Sequence, residues 1–210
     1  FLLFSVQPFF AKMVLPRLGG TPAVWSVAMV FFQSVLLAGY GYAHVLSRYF
    51  RLGNAVLIHL CVLGLALFAL PMALPDGWRR PPADGEALWL IGLFTISVGL
   101  PFFAVSANGP LLQAWFARTG HAHAKDPYFL YGASNIGSFA SLILYIILIE
   151  PLFDLQSQSV MWTGGFVLLG LSIASCGYFA WHLSGAASEI DSDIVSVQDA
   201  LPVSWQDRAT

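Results

Sequence analysis

The 210-residue chain is 58% hydrophobic and only 10% charged, with a net charge of −2 and a mean hydropathy of +0.74. Soluble domains carry roughly 25% charged residues, so these charges are too few to cover a water-facing surface, and most of that surface is read as facing a lipid bilayer. The slightly negative charge and the lack of a basic stripe argue against a nucleic-acid partner. Two cysteines without a CxxC or a metal-ligand spacing speak against a thiolate metal site. Both Cys61 and Cys176 lie inside apolar runs and read as buried, reduced and inert.

Six apolar segments follow one another. The first, 1–15, covers about 22 Å as a helix, short of the ~30 Å hydrocarbon core. It starts at Phe1 without a basic region before it, so it does not read as an intact signal peptide, and its remaining turns are expected upstream. The others run over about 23–46, 54–74, 86–107, 127–149 and 159–182. Breakers stand between them: Pro16, Gly19, Gly20 and Pro22; Arg48, Arg51 and Gly53; Pro75 through Gly85; Glu150 and Pro151. The runs are long and continuous, without the alternation of strands, and in lipid only helices or closed barrels satisfy their backbone groups. The fold class is therefore all-α, a polytopic transmembrane bundle of about six helices over 1–183.

Two stretches stand apart. Asn108-Gly109-Pro110 interrupts the fourth segment, and the apolar LLQAWFAR at 111–118 follows it. A long helix kinked at Pro101 and Pro110 is favoured over a separate interfacial helix. Residues 184–210 carry Glu189, Asp191, Asp193, Asp199 and Asp207 against one base, Arg208, and read as a flexible acidic linker. Arg48, Arg51, Arg118 and Lys125 on one set of loops balance Lys12, Arg17, Arg79 and Arg80 on the other, so loop charge does not orient the chain.

Polar residues within spans are the informative ones. Gln7, beside the helix-kinking Pro8, and Gln33, near the middle of the second span, either face a cavity or clamp helices together. Lys12 either neutralises an anionic group or extends to the interface. The fifth segment holds Tyr131, Ser134, Asn135, Ser138 and Ser141, with Ala133, Gly137 and Ser141 forming a small-residue stripe for close helix approach. Asn135 beside that stripe is the leading cavity candidate. Gly39 and Ala43, and Gly170 and Ala174, form weaker stripes of the same kind. Glu150, at a helix C-terminus where a carboxylate is electrostatically disfavoured, reads as an exposed helix-end carboxylate, with a cation partner or a proton relay as the alternative. His44, His59 and His182 read as interfacial. His121 and His123 lack the further ligands of a metal site. With Asp126 they are the single cluster on which a lipid-modifying enzyme would rest. No phosphate loop, nucleophile elbow, zinc motif or dinucleotide fingerprint is present, so neither a catalytic site, a metal nor a cofactor is read from these residues.

Several long motifs occur together: SVQPFFAKMVLPRLGGTPAVWSVAMVFFQSVLLAGYGYAH (5–44), LPFFAVSANGPLLQAWFARTGHAHAKDPYFLYGASNIGSFASL (100–142), the Glu150-Pro151 helix end and PVSWQDRAT (202–210). They resemble the fused major-facilitator/spermidine-synthase-like membrane proteins, and the likeness covers most of the chain. The resemblance implies a transporter-type membrane region followed by a soluble aminopropyltransferase-like domain, with this chain as the first six-helix half in a bacterial inner membrane. A second membrane half and the soluble domain would be its partners, and 184–210 would join the halves on the cytoplasmic side. The motif positions Gln7, Lys12, Gln33, Asn108, Gln113, Tyr131 and Asn135 are the substrate-cavity candidates. The implied substrate is a small polar or cationic metabolite, polyamine-related by analogy. The alternative is a membrane anchor for the enzyme domain, in which the polar residues only pack helices.

Overall fold

A computed structural model describes residues 1–18, 22–75, 77–78, 82, 85–119, 121 and 128–200, and side chains within these except for 17, 18 and 184–200. Among the described residues the chain is helical, with no strand. It forms six helices: α1 (Leu2–Leu18), α2 (Pro22–Tyr49), α3 (Leu52–Ala69, its last turn 3-10), α4 (Glu86–Phe116), α5 (Tyr128–Leu152) and α6 (Leu155–Ala200). Five of them, α2 to α6, are long and apolar enough to cross a membrane. The chain is thus a multi-pass membrane protein built as a helical bundle.

The segment boundaries differ from the sequence pattern where proline intervenes. The third segment was expected to reach 74, but helix ends at Ala69 and an irregular stretch follows around Pro71. Proline lacks the amide to extend the helix and pushes the preceding residue into extended backbone; Leu70 is extended accordingly. The fourth segment instead runs on through Asn108-Gly109-Pro110 to Phe116 as one long helix. Spans tolerate proline because nearby groups take up the freed backbone; two residues before Pro110, Asn108 Nδ2 donates to the carbonyls of Ala104 and Val105, both at 3.2 Å. A π-helical turn at Thr95–Gly99 lies just before Pro101. In α6 the backbone stays helical to Ala200, past the start of the acidic stretch at 184. Residues 201–210, Arg79, Arg80, His123, Lys125 and Asp126, and the side chain of Arg17, lie outside the described residues.

Packing is organised around α4. Its closest companion is α2, and it also meets α1, α3 and α6. The α2–α4 contact depends on Gly39, where an added Cβ would collide with the Ser106 side chain and lie 3.2 Å from the Phe103 carbonyl oxygen. Buried Ala43, one turn on, continues this close seam. An aromatic cluster ties three helices together: Phe10 of α1 and Phe31 of α2 both set their rings edge-on to Phe94 of α4, at 5.3 and 5.4 Å, and Phe32 meets Phe102 at 4.9 Å. At the end of α4, the Arg118 guanidinium donates to the carbonyls of Ser47 and Phe50. It thereby fastens α4 to the C-terminus of α2, where exposed carbonyls favour a cation. On the far flank, Gly177 of α6 lies so near α3 that a Cβ there would come within 2.6 Å of Val56. Gly170 has open space around its Cβ position, so the packing seam of α6 does not pass through it.

Candidate functional site

Helix α5 leans on α1 and meets α4 more sparsely. Between α1, α4, α5 and α6 this leaves a cleft of about 690 Å³. Its walls are mostly apolar: Phe9 from α1, Val105 and Leu112 from α4, Leu130 and Ile149 from α5, and Trp162 and Leu169 from α6. Set into them are Asn108 and Gln113 of α4, Ser134 and Ser138 of α5, and Tyr145 and Gln158 at the closed α5–α6 corner. Among the described residues, no Asp, Glu, Lys, Arg or His side chain lines it. An apolar concavity carrying a few convergent polar groups is the usual build of a small-molecule site.

Several of these polar groups are already committed. The Tyr145 hydroxyl donates to Gln158 Oε1 at 3.1 Å, and Gln158 Nε2 donates to the Phe153 carbonyl at 2.8 Å. Ser138 donates back to the Ser134 carbonyl, and Ser106 to the Phe103 carbonyl. Such hydroxyls keep free lone pairs after giving up their proton, so they present acceptors to the cleft.

Asn108 is the link between the cleft and the core. With Nδ2 committed to two carbonyls, its Oδ1 faces His59 Nε2 at 2.9 Å. His59 therefore carries its proton on Nε2, and its Nδ1 faces the Tyr42 hydroxyl at a long 3.5 Å. The His59 ring also stands edge-on to Trp115, with centroids 6.2 Å apart. His59 is fully buried, which corrects its reading as an interfacial histidine. It sits well inside α3, on the side facing α2 and α4, and its burial without a charged neighbour is tolerated because Asn108 Oδ1 accepts a hydrogen bond from its Nε2–H. A polar residue inside a uniformly apolar run, paired in register with Asn108 of another span, was the signal available in the sequence. The buried Trp115 Nε1 and Ser97 Oγ have no hydrogen-bond partner among the described residues.

Of the seven motif residues, the structure brings Asn108 and Gln113 to the cleft. Gln7 is half-buried on α1 outside the lining, and Gln33 is exposed on α2. Tyr131 and Asn135 are exposed on α5, whose cleft wall is formed by Ala133, Ser134 and Ser138 instead. Lys12 meets Glu150 at 2.5 Å, joining α1 to the end of α5. The pair favours the alternative reading of Glu150, a helix-end carboxylate with a partner cation, although its side chain remains 45% exposed. Ser141, at the end of the small-residue stripe, donates to the Phe1 carbonyl at 2.8 Å, so the stripe faces α1. Cys61 and Cys176 are both exposed on the outer surface of the bundle, not buried; in spans apolar all round, the side facing neighbours leaves no mark in the sequence. His121 packs its ring against Phe116 at 5.6 Å, and no group of three or more potential metal ligands occurs among the described residues.

No known protein family, no curated protein and no solved structure matches the chain.

Proposed function

We propose that this bundle is the solute-handling half of a transporter-like membrane protein, and that the solute occupies the cleft between α1, α4, α5 and α6. The observation that carries this reading is the convergence of Asn108, Gln113, Ser134 and Ser138 on one cavity inside a helical membrane bundle, where polar side chains are costly and gather at pathways. The resemblance of the motifs to the fused major-facilitator/spermidine-synthase-like proteins supports the transporter reading and adds a second membrane half, a soluble aminopropyltransferase-like domain and a bacterial inner membrane to it.

The chemistry of the lining narrows the solute. Among the described residues no acidic side chain lines the cleft and Glu150 is engaged by Lys12, so none of them neutralises a polyamine. The walls fit a small, largely uncharged solute with an apolar body and hydrogen-bond donors. The polyamine reading rests on the resemblance alone. The test is uptake into proteoliposomes by the full-length protein, with spermidine and a set of neutral amphiphilic solutes as probes. Ala133→Trp, which fills the cleft, should abolish uptake of the handled solute, and Ile136→Trp on the outer face should not. Equal uptake in both variants would contradict the reading.

A second reading, a membrane anchor for an attached enzyme, is favoured by one observation: Gln33, Tyr131 and Asn135 face outward and the His59–Asn108 pair is closed on itself. Under it, no solute would be taken up by the parent protein, and an attached aminopropyltransferase-like activity would survive Ala133→Trp.

A further inference from the structure

We propose that the corner where α2 passes into α3 holds the phosphate of an anionic phospholipid, gripped by Arg48, Arg51 and Arg118 at the membrane surface. The site is separate from the cleft and stands under either reading of what the bundle does.

Three features carry it. First, the corner gathers cations. Arg48 lies in the last turn of α2, and Arg51, in extended backbone, leads into α3 at Leu52. Arg118, from beyond the end of α4, is brought to the same place by its hydrogen bonds to the Ser47 and Phe50 carbonyls. Second, positive charge is left over there. The C-terminus of α2 offers roughly half a negative charge to three arginines, and the start of α3 disfavours a cation such as Arg51. All three arginines are exposed, and among the described residues none of them has a carboxylate partner. Arg118 keeps N–H groups beyond those given to the carbonyls. The opposite end of the bundle differs: its described charges are Lys12, Glu86, Glu150 and Asp154, with Lys12 and Glu150 already paired. An anion is therefore drawn to one end only. Third, the corner carries the rings of a membrane boundary. Arg48 lies over the Tyr49 ring, 6.0 Å from its centroid. Tyr49 and Phe50 are exposed, and exposed Trp181 of α6 reaches the corner, its Nε1 3.3 Å from where a Cβ on Gly53 would stand. Tyrosine and tryptophan settle at headgroup level, which sets the arginines at the depth of lipid phosphates and favours a phospholipid over a free anion. Guanidinium groups match a phosphate through paired N–H···O bonds, and basic clusters at span ends recognise anionic headgroups.

The experiment titrates the full-length protein in neutral detergent with phosphatidylglycerol and, separately, with phosphatidylcholine of the same acyl chains, and counts bound lipid by native mass spectrometry. The parent is expected to bind phosphatidylglycerol more tightly. Arg48→Gln together with Arg51→Gln should weaken that binding about five- to twenty-five-fold, at about fivefold per basic residue near an anionic headgroup, and leave phosphatidylcholine binding unchanged. Both side chains are exposed, so the double variant should keep the parent's unfolding midpoint. Glu86→Gln, which makes the protein more positive at the opposite end, should not alter the preference. Equal affinity of the parent for the two lipids would overturn the proposal, as happens if the acidic stretch at 184–210 occupies the arginines instead. A preference untouched by the double variant would overturn it too, and so would one shifted as much by Glu86→Gln, the mark of attraction by overall charge. Displacement of the bound lipid by inorganic phosphate would assign the corner to a free anion and overturn the lipid as its occupant.

Discussion

His59 and Asn108 show how a single pair of residues joins the core to the site. Each is buried and each completes the other, so removing one leaves a polar group stranded in an apolar interior. Asn108→Leu is expected to destabilise the bundle by about 1–2 kcal/mol, between the small net value of hydrogen bonds within membranes and the full cost of an unsatisfied group. His59→Leu should cost a similar amount. Combined, the two changes should cost less than their sum, as the double variant strands nothing. Thermal unfolding in detergent checks this, and strict additivity would contradict the pairing. Asp154 makes a different residue-scale claim. Outside the spans, it accepts a hydrogen bond from the Ser157 amide at 2.9 Å at the start of α6, and its side-chain and backbone hydrogen bonds with Ser157 hold its carboxyl below the usual carboxylate value. Because the folded-state pKa is depressed, the stabilisation is present above the unfolded value and is lost as pH falls through the lower, folded one. Asp154→Asn, which keeps an N-cap acceptor, should remove that acid-range dependence. An unchanged acid profile in a pH series of unfolding would show that the cap carries none of it.

At the scale of elements, the spans were legible because an apolar run of about 20 residues has few other uses. The long fourth helix was also legible: its polar interruption at 108–110 is too short to turn the chain within a membrane. The faces were not. Where a helix is apolar all round, lipid and protein neighbours ask for the same residues, so neither the outward side of Asn135 and Gln33 nor the exposure of the two cysteines was written in periodicity. Small residues were the better guide. Gly39 marks the α2–α4 seam, whereas Gly41, two positions on, has open space around it. Gly39→Leu is accordingly expected to cost about 1–3 kcal/mol through overpacking, and Gly41→Leu close to nothing. Similar unfolding midpoints for the two would place the seam elsewhere. The Lys12–Glu150 pair joins α1 to α5 with side chains 40% and 45% exposed. Neutralising either should therefore cost less than about 1 kcal/mol and the loss should shrink in high salt. Exchanging the two charges should restore most of it.

For the whole molecule, the arrangement has one well-packed side and one open side. The α2–α4 pair, the phenylalanine cluster and the His59–Trp115 contact fill the first. The cleft and the lightly held α5 form the second. Such an asymmetry suits a bundle in which a rigid part positions a site and a looser helix borders it. The sequence pointed to the site through Asn108 and Gln113, since both fall in the unusual SANGPLLQAWF stretch of α4. It did not point to Tyr145 and Gln158, which meet across a tight α5–α6 corner and acquire their meaning from the turn between them.

The most direct test of the account is the reactivity of single cysteines toward a small hydrophilic thiol reagent, with the protein in a bilayer and Cys61 and Cys176 replaced by serine. Cysteines at Ser134, Ser138 and Gln113 border the cleft, and those at Ile136, Phe139 and Ile143 lie on the outer face of α5. The account expects the first three to react and the second three to stay protected by lipid. Protection of all six would mean that no accessible cleft exists and would leave the anchor reading. Reaction of all six would contradict the embedding of α5 in the membrane itself.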